Sequence, residues 1–238
     1  MARPKPYYVG GKRVPSVTTI TGKFKDSGGL IAWANMVGRG DRDCDEQEEC
    51  EKCGRRAGKT QYEAMEKAAD VGTYAHALIE AKVHDNDLML MARLDKYAHL
   101  TADQLDLAAD CLEAFDRWWS TQRVEIVETE LRLVSDTHKY GGTMDLLATI
   151  DGKFALVDWK TSRGIYGDYL SQLAGYLLLV EENGFPAVEE IHILRIAKET
   201  AAFHHSSFPR RTFQPAVDFF LTCRKGYEQE KAVKKLLR

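Results

Sequence analysis

The segment best equipped for chemistry is Gly141-Gly-Thr-Met-Asp145-Leu-Leu-Ala-Thr-Ile150-Asp-Gly-Lys-Phe-Ala-Leu-Val-Asp158-Trp-Lys160. Asp151-Gly152 between two runs of β-forming residues signals a two-residue hairpin. That turn sets Ile150 against Lys153, Asp145 against Asp158 and Thr143 against Lys160. Side chains alternate along a strand and paired residues share a face. Asp145, Asp158 and Lys160 are therefore expected to emerge together with Leu147 and Leu156, and Met144, Leu146, Val157 and Trp159 to line the other face. Strands apolar on both faces belong in the middle of a sheet. Two carboxylates facing each other there repel, and a divalent cation offsets the repulsion most simply. Carboxylate oxygens and water suit Mg²⁺ or Mn²⁺. Lys160 brings an ammonium beside that ion, able to orient or deprotonate a water or to stabilise charge developing on a phosphate. A bulge would shift the register and leave one aspartate a solvated strand end.

Helices must supply the rest. An Ala-, Glu- and Lys-rich stretch from about Thr60 to Val83 reads as a long amphipathic helix, with His76 and Glu80 four apart on one face. Another helix runs from about Ala102 to Gln122, its Leu105, Leu112, Phe115 and Trp119 forming a core stripe. Gln172 and Tyr176 share a face of a third helix, from about Asp168 to Glu182. Strands are expected at Val124–Val134, Gly142–Ile150, Phe154–Lys160, Glu189–Ile196 and around Ala202–Ser207, before a closing helix. The first forty residues read as irregular apart from a capped turn at Pro15–Ile20 and a short helix carrying Leu30, Trp33 and Ala34. The plan is α/β (α+β): a central mixed β-sheet flanked by helices, with an N-terminal helical region. A single domain over 1–238 is expected, with a cysteine-bearing insertion at about 40–59.

Composition narrows the field. The chain has 238 residues, 44% of them hydrophobic, and a net charge of −3 from 33 basic and 36 acidic side chains. It can build a core, so disorder is excluded. No apolar run approaches the ~20 residues of a membrane span, and no secretory signal is expected. Nonspecific coating of DNA calls for a strongly basic chain, so any contact with nucleic acid must be local. Five cysteines, an odd and sparse set, point to a reducing compartment.

The motif series Gly72-Thr73…His76, Gly142-Thr143…Asp145, Asp158-Trp-Lys160-Thr161 and Gln172…Tyr176 resembles that of the PD-(D/E)XK nuclease superfamily. Its order is similar to the RecB-like branch. Pro15-Ser-Val-Thr-Thr-Ile20, Leu30…Trp33-Ala34 and Tyr166…Tyr169 resemble phage exonucleases and the mitochondrial genome maintenance exonuclease. The resemblance implies a restriction-endonuclease-like core and phosphodiester hydrolysis. His76, Asp145, Asp158 and the Trp159 carbonyl would bind the metal, and Lys160 would be catalytic with the two aspartates. Gln172, Tyr176 and Thr161 would hold the substrate strand. Glu130 matches an acidic position of the family less closely, and Glu80 accompanies His76. Tyr166 and Tyr169 are candidates for stacking on unpaired bases.

Cys44, Cys50 and Cys53 lie in a charged stretch. A Cys-x2-Cys step suits tetrahedral metal, but a closed site needs four ligands. Structural Zn²⁺ ranks before an iron–sulfur cluster, and free thiols are the alternative. Gly54–Thr60 lacks the spacing and preceding strand of a P-loop. His204 and His205, adjacent on a strand, should point to opposite faces.

The expected protein is thus a metal-dependent deoxyribonuclease. It would be an exonuclease on single-stranded DNA or DNA ends in recombination, repair or replication, in the cytoplasm of a bacterium or phage-infected cell. The alternative is a non-catalytic or partner-dependent DNA-end-binding component of a recombination or CRISPR-adaptation complex.

Overall fold

The computed structural model describes residues 5–25, 61–84, 97–162, 164–197 and 200–237. The chain is described as two compact units. One is Met1–Lys25 with Glu113–Arg238, and the other is Asp26–Leu112.

In the second unit, α2 (Gln61–Val83) buries Ala75, Leu78 and Ile79 along one stripe. Helix α3 (Ala102–Trp119) begins in this unit. A reciprocal cap opens it: the Gln104 N–H donates to Thr101 Oγ1 (3.4 Å) and the Thr101 N–H to Gln104 Oε1 (3.0 Å).

The first unit starts with a feature absent from the sequence reading, a hairpin of β1 (Tyr7–Val9) and β2 (Lys12–Val14). Gly10 and Gly11 turn it at φ 54° and 74°, the left-handed region that glycine enters at little cost. Short strands carry too little alternation to stand out, although Gly-Gly is itself a hairpin signal. Helix α1 (Val17–Thr21) follows, its first turn capped by Ser16 Oγ accepting from the Thr19 N–H (3.0 Å).

Five strands make the main sheet in the order β3-β4-β5-β6-β7: β3 Val124–Ser135, β4 Tyr140–Ile150, β5 Lys153–Thr161, β6 Glu190–Ile196 and β7 Phe203–Pro209. Only β5 and β6 are parallel. A parallel pair needs a crossover, and α4 (Gly167–Glu182) supplies it. Asp151 and Gly152 turn β4 into β5 at φ 48° and 86°, the hairpin geometry that Asp-Gly favours. Strand β5 lies centrally, which explains why Phe154 to Trp159 are all buried, Asp158 included.

Helices α1, α4 and α5 (Gln214–Lys235) enclose one apolar core with the sheet, around Leu147, Leu156, Ile191, Ile193, Leu173, Leu177 and Phe220. On the other face Trp159 meets Phe115 edge-on at 6.1 Å. Met144 departs from the expected alternation: it joins the same cluster as Leu147, three residues on. The simple two-residue alternation therefore breaks between them. Among the described residues, no helix is long and apolar enough to cross a membrane.

Candidate active site

Strands β4 and β5 pair from Ile150↔Lys153 to Leu146↔Val157, and the ladder ends there. Asp145 and Asp158 are the next residues on each strand, at the opening of the fork. The expectation that Asp145 and Asp158, and then Thr143 and Lys160, continue as ladder partners is thus corrected. Beyond Val157, β5 is paired with β6 alone, through Thr161↔Ile196. Its other edge is given to side chains. The Trp159 N–H donates to Asp145 Oδ2 at 3.0 Å, where a continued ladder would have used a backbone carbonyl. This bond ties the first carboxylate to the strand that carries the second.

Asp158 is 1% exposed, and Lys160 Nζ lies 2.5 Å from its Oδ2. Burial alone would lower the Lys160 pKa. Attraction to Asp158 and Asp145 and the hydrogen bond to Asp158 outweigh it, so the ammonium is held above its usual range. The Lys160 ammonium also stands 5.4 Å from the centroid of the Tyr169 ring, a cation–π contact that steadies it. On α4, Gln172 Nε2 donates to the Tyr176 hydroxyl at 2.8 Å. Burial first, then Asp158, push that phenol well above its ordinary value, against the Gln172 bond. Tyr176 therefore stays protonated and keeps its own hydrogen to donate. Both aspartates act electrostatically on Lys160 and on Tyr176, so the four side chains form one electrostatic unit.

The structure thus brings together Asp145, Asp158, Lys160, the Trp159 backbone, Gln172 and Tyr176. Thr161 ends β5, half-buried. Tyr166 caps α4, 49% exposed, with its ring edge-on to Tyr169 at 5.6 Å. Thr129↔Leu146 and Leu131↔Met144 leave Glu130 opposite Asp145. It sits there at φ 47°, outside the ladder. That register follows a bulge between Ile126 and Glu128, which the sequence does not announce. His76 is half-buried and Glu80 buried on α2, in the other unit. Cys44, Cys50, Cys53 and Trp33 lie outside the described residues. His204 and His205 do diverge: His205 bonds His192 (2.9 Å), whereas His204 meets Ser206 (3.2 Å). Sequence reasoning passed over Tyr7, whose hydroxyl is 2.7 Å from Thr143 Oγ1.

Asp145 and Asp158 bring two carboxylates together in a largely buried place, where a divalent cation would ease their repulsion. Among the described residues, no three His, Cys, Asp or Glu side chains form a ready-made metal cage. This donor set fits Mg²⁺, which binds through one or two carboxylates and keeps several waters.

The family model of the PD-(D/E)XK nuclease superfamily matches residues 49–235. The chain belongs to this superfamily and is a nuclease of it. Its members generally use divalent metals such as Mg²⁺. No curated protein matches the chain. Similar solved structures include LHK-Exo in complex with dAMP, at 15% identity over 70% of this chain and 96% of that one, TM-score 0.31. The alkaline exonuclease LHK-Exo from Laribacter hongkongensis matches at 14% identity over 71% and 91%, TM-score 0.31. SSO0001 matches at 20% over 65% and 74%, TM-score 0.29.

Proposed function

We propose that this nuclease is a Mg²⁺- or Mn²⁺-dependent exonuclease that hydrolyses phosphodiester bonds of single-stranded DNA or of DNA ends. The observation that carries the reading is the fork between β4 and β5, where Asp145, Asp158 and Lys160 meet beside the freed edge of β5. A binding module has no need of that repulsive pair. The exonucleolytic mode rests on the motif series shared with phage exonucleases.

Asp145 and Asp158 would hold the ion with the Trp159 carbonyl. When bound, the ion lowers the pKa of an attacking water and polarises a phosphate oxygen. Asp145 is held in position for this task by the bond that its Oδ2 accepts from the Trp159 N–H. Lys160 donates to the phosphate as negative charge develops on it, a contribution preset by Asp158 and the Tyr169 ring. Gln172 and Tyr176 position the substrate strand from α4. Thr161 and Tyr166 are placed with them as substrate contacts.

Linear and circular single-stranded DNA, offered side by side with Mg²⁺ and with chelator, test the reading. The expected result is metal-dependent release of nucleotides from the linear form, with the circle left intact. Nicking of the circle would refute the exonuclease, and a folded protein that binds both forms without cutting would refute catalysis.

A further inference from the structure

Arg132 is held in place by an aromatic ring and two backbone carbonyls. It lies on β3 paired with Thr143 and is exposed. Its guanidinium carbon sits 3.7 Å from the centroid of the Tyr7 ring. Its Nη2 donates to the carbonyls of Lys5 (2.8 Å) and Pro6 (2.6 Å). Tyr7 is itself pinned, through its hydroxyl to Thr143 and by its ring lying so close over Gly141 that a Cβ there would be 2.2 Å away. Arginines elsewhere in the fold answer a carboxylate: Arg117 meets Glu113, Arg210 meets Glu181 and Arg224 meets Glu228. Arg132 makes no ion pair among the described residues, and its Nε and Nη1 are not used in any hydrogen bond there.

We propose that Arg132 is a phosphate contact for the nucleic-acid strand, with Tyr7 as its positioning residue. This deepens the nuclease reading and rests on it. A planar guanidinium suits bidentate phosphate recognition, and stacking already removes the side-chain freedom that binding would otherwise have to freeze. The surroundings favour an anion: Lys5, Lys12 and Arg13 are exposed, and no Asp or Glu occurs from Lys5 to Gly22. That local excess stands out in a chain of net charge −3. Thr143, the strand partner of Arg132, precedes Asp145 by two residues, about 7 Å along the strand. A phosphate held at Arg132 would thus belong to a nucleotide near the scissile one.

The test is binding of a fluorescent thymidine oligonucleotide to the full chain carrying Asp158→Asn, across a series of salt concentrations. Arg132→Gln should weaken affinity about tenfold at low salt and reduce the slope of log K against log salt by ~0.7, one phosphate contact on a single strand. Tyr7→Leu should lower affinity in the same direction, and Tyr7→Phe, which keeps the ring but loses the bond to Thr143, should lower it less. If Arg132→Gln fails to fold, Arg132→Lys carries the test: the salt slope persists while affinity drops several-fold. Oligonucleotides with a 5′-phosphate and with a 5′-hydroxyl separate the sources. An equal loss on both assigns an internal phosphate, and a loss confined to the phosphorylated one assigns the terminus. Parental affinity and slope in Arg132→Gln or Arg132→Lys overturn the proposal while Mg²⁺-dependent cleavage by the wild type leaves the nuclease reading standing. A wild type that neither binds nor cuts overturns both.

Discussion

Acidifying the protein from about pH 7.5 to about pH 5 should cost the fold about 2 kcal/mol through His192 alone. His192 is 3% exposed on β6. Its Nδ1 is 2.9 Å from His205 Nε2, the rings stack at 5.0 Å, and its Nε2 is 3.3 Å from Glu190. Burial first, then the neighbouring His205, lower its pKa from 6.5 to about 4, against the attraction of Glu190. The unfolded chain therefore takes up a proton at higher pH than the folded one. The stability associated with neutral His192 is complete above 6.5, is lost as the pH falls towards about 4, and changes no further below that. At about 1.4 kcal/mol per pH unit the whole window is worth about 3 kcal/mol, and about 2 of it is gone by pH 5. Urea denaturation of wild type and His192→Leu at the two pH values measures it. The wild type should lose about 2 kcal/mol more than the variant, whose apolar side chain of similar volume cannot titrate. Equal losses in both proteins would refute the linkage.

Three further substitutions probe the sheet and the site. Lys160→Ala should lower kcat by at least about a hundredfold with little change in KM, read by single-turnover cleavage, because its donation grows in the transition state. Gly142→Ala would set a Cβ 2.7 Å from the Tyr176 ring and 2.9 Å from Leu179. The expected cost is about 1–3 kcal/mol of stability, and an unchanged Tm would contradict the close approach of α4 to β4. Tyr140→Phe removes the buried donation to the Gly175 carbonyl (2.8 Å) and should cost about 1 kcal/mol in equilibrium unfolding.

Much of the site was legible because local rules were enough. Asp151-Gly152 fixed one turn, and from it the β4–β5 register follows as far as Leu146↔Val157. The shared face of Gln172 and Tyr176 follows from helical spacing alone, and the structure adds a hydrogen bond between them. Counting failed where the backbone stops being regular. Past Val157 the ladder opens, so Asp145 takes the Trp159 N–H rather than facing Asp158 as a strand partner. Met144 changes face at the same point. The position of Glu130 depends on a bulge in β3, and that of Tyr7 on a hairpin of two three-residue strands. Neither leaves a periodic signal. The His192–His205 pair joins residues of neighbouring strands, whose register is set by the sheet and not by either segment.

Asp158 is the residue on which an active site at the β4–β5 fork depends most. Single-stranded DNA labelled separately at each end, incubated with Mg²⁺ and wild type or Asp158→Asn, tests it most directly. The wild type should release one label before the other and only with metal, while the variant, folded with a similar Tm, releases neither. Wild-type rates in Asp158→Asn would contradict the placing of the active site at the β4–β5 fork.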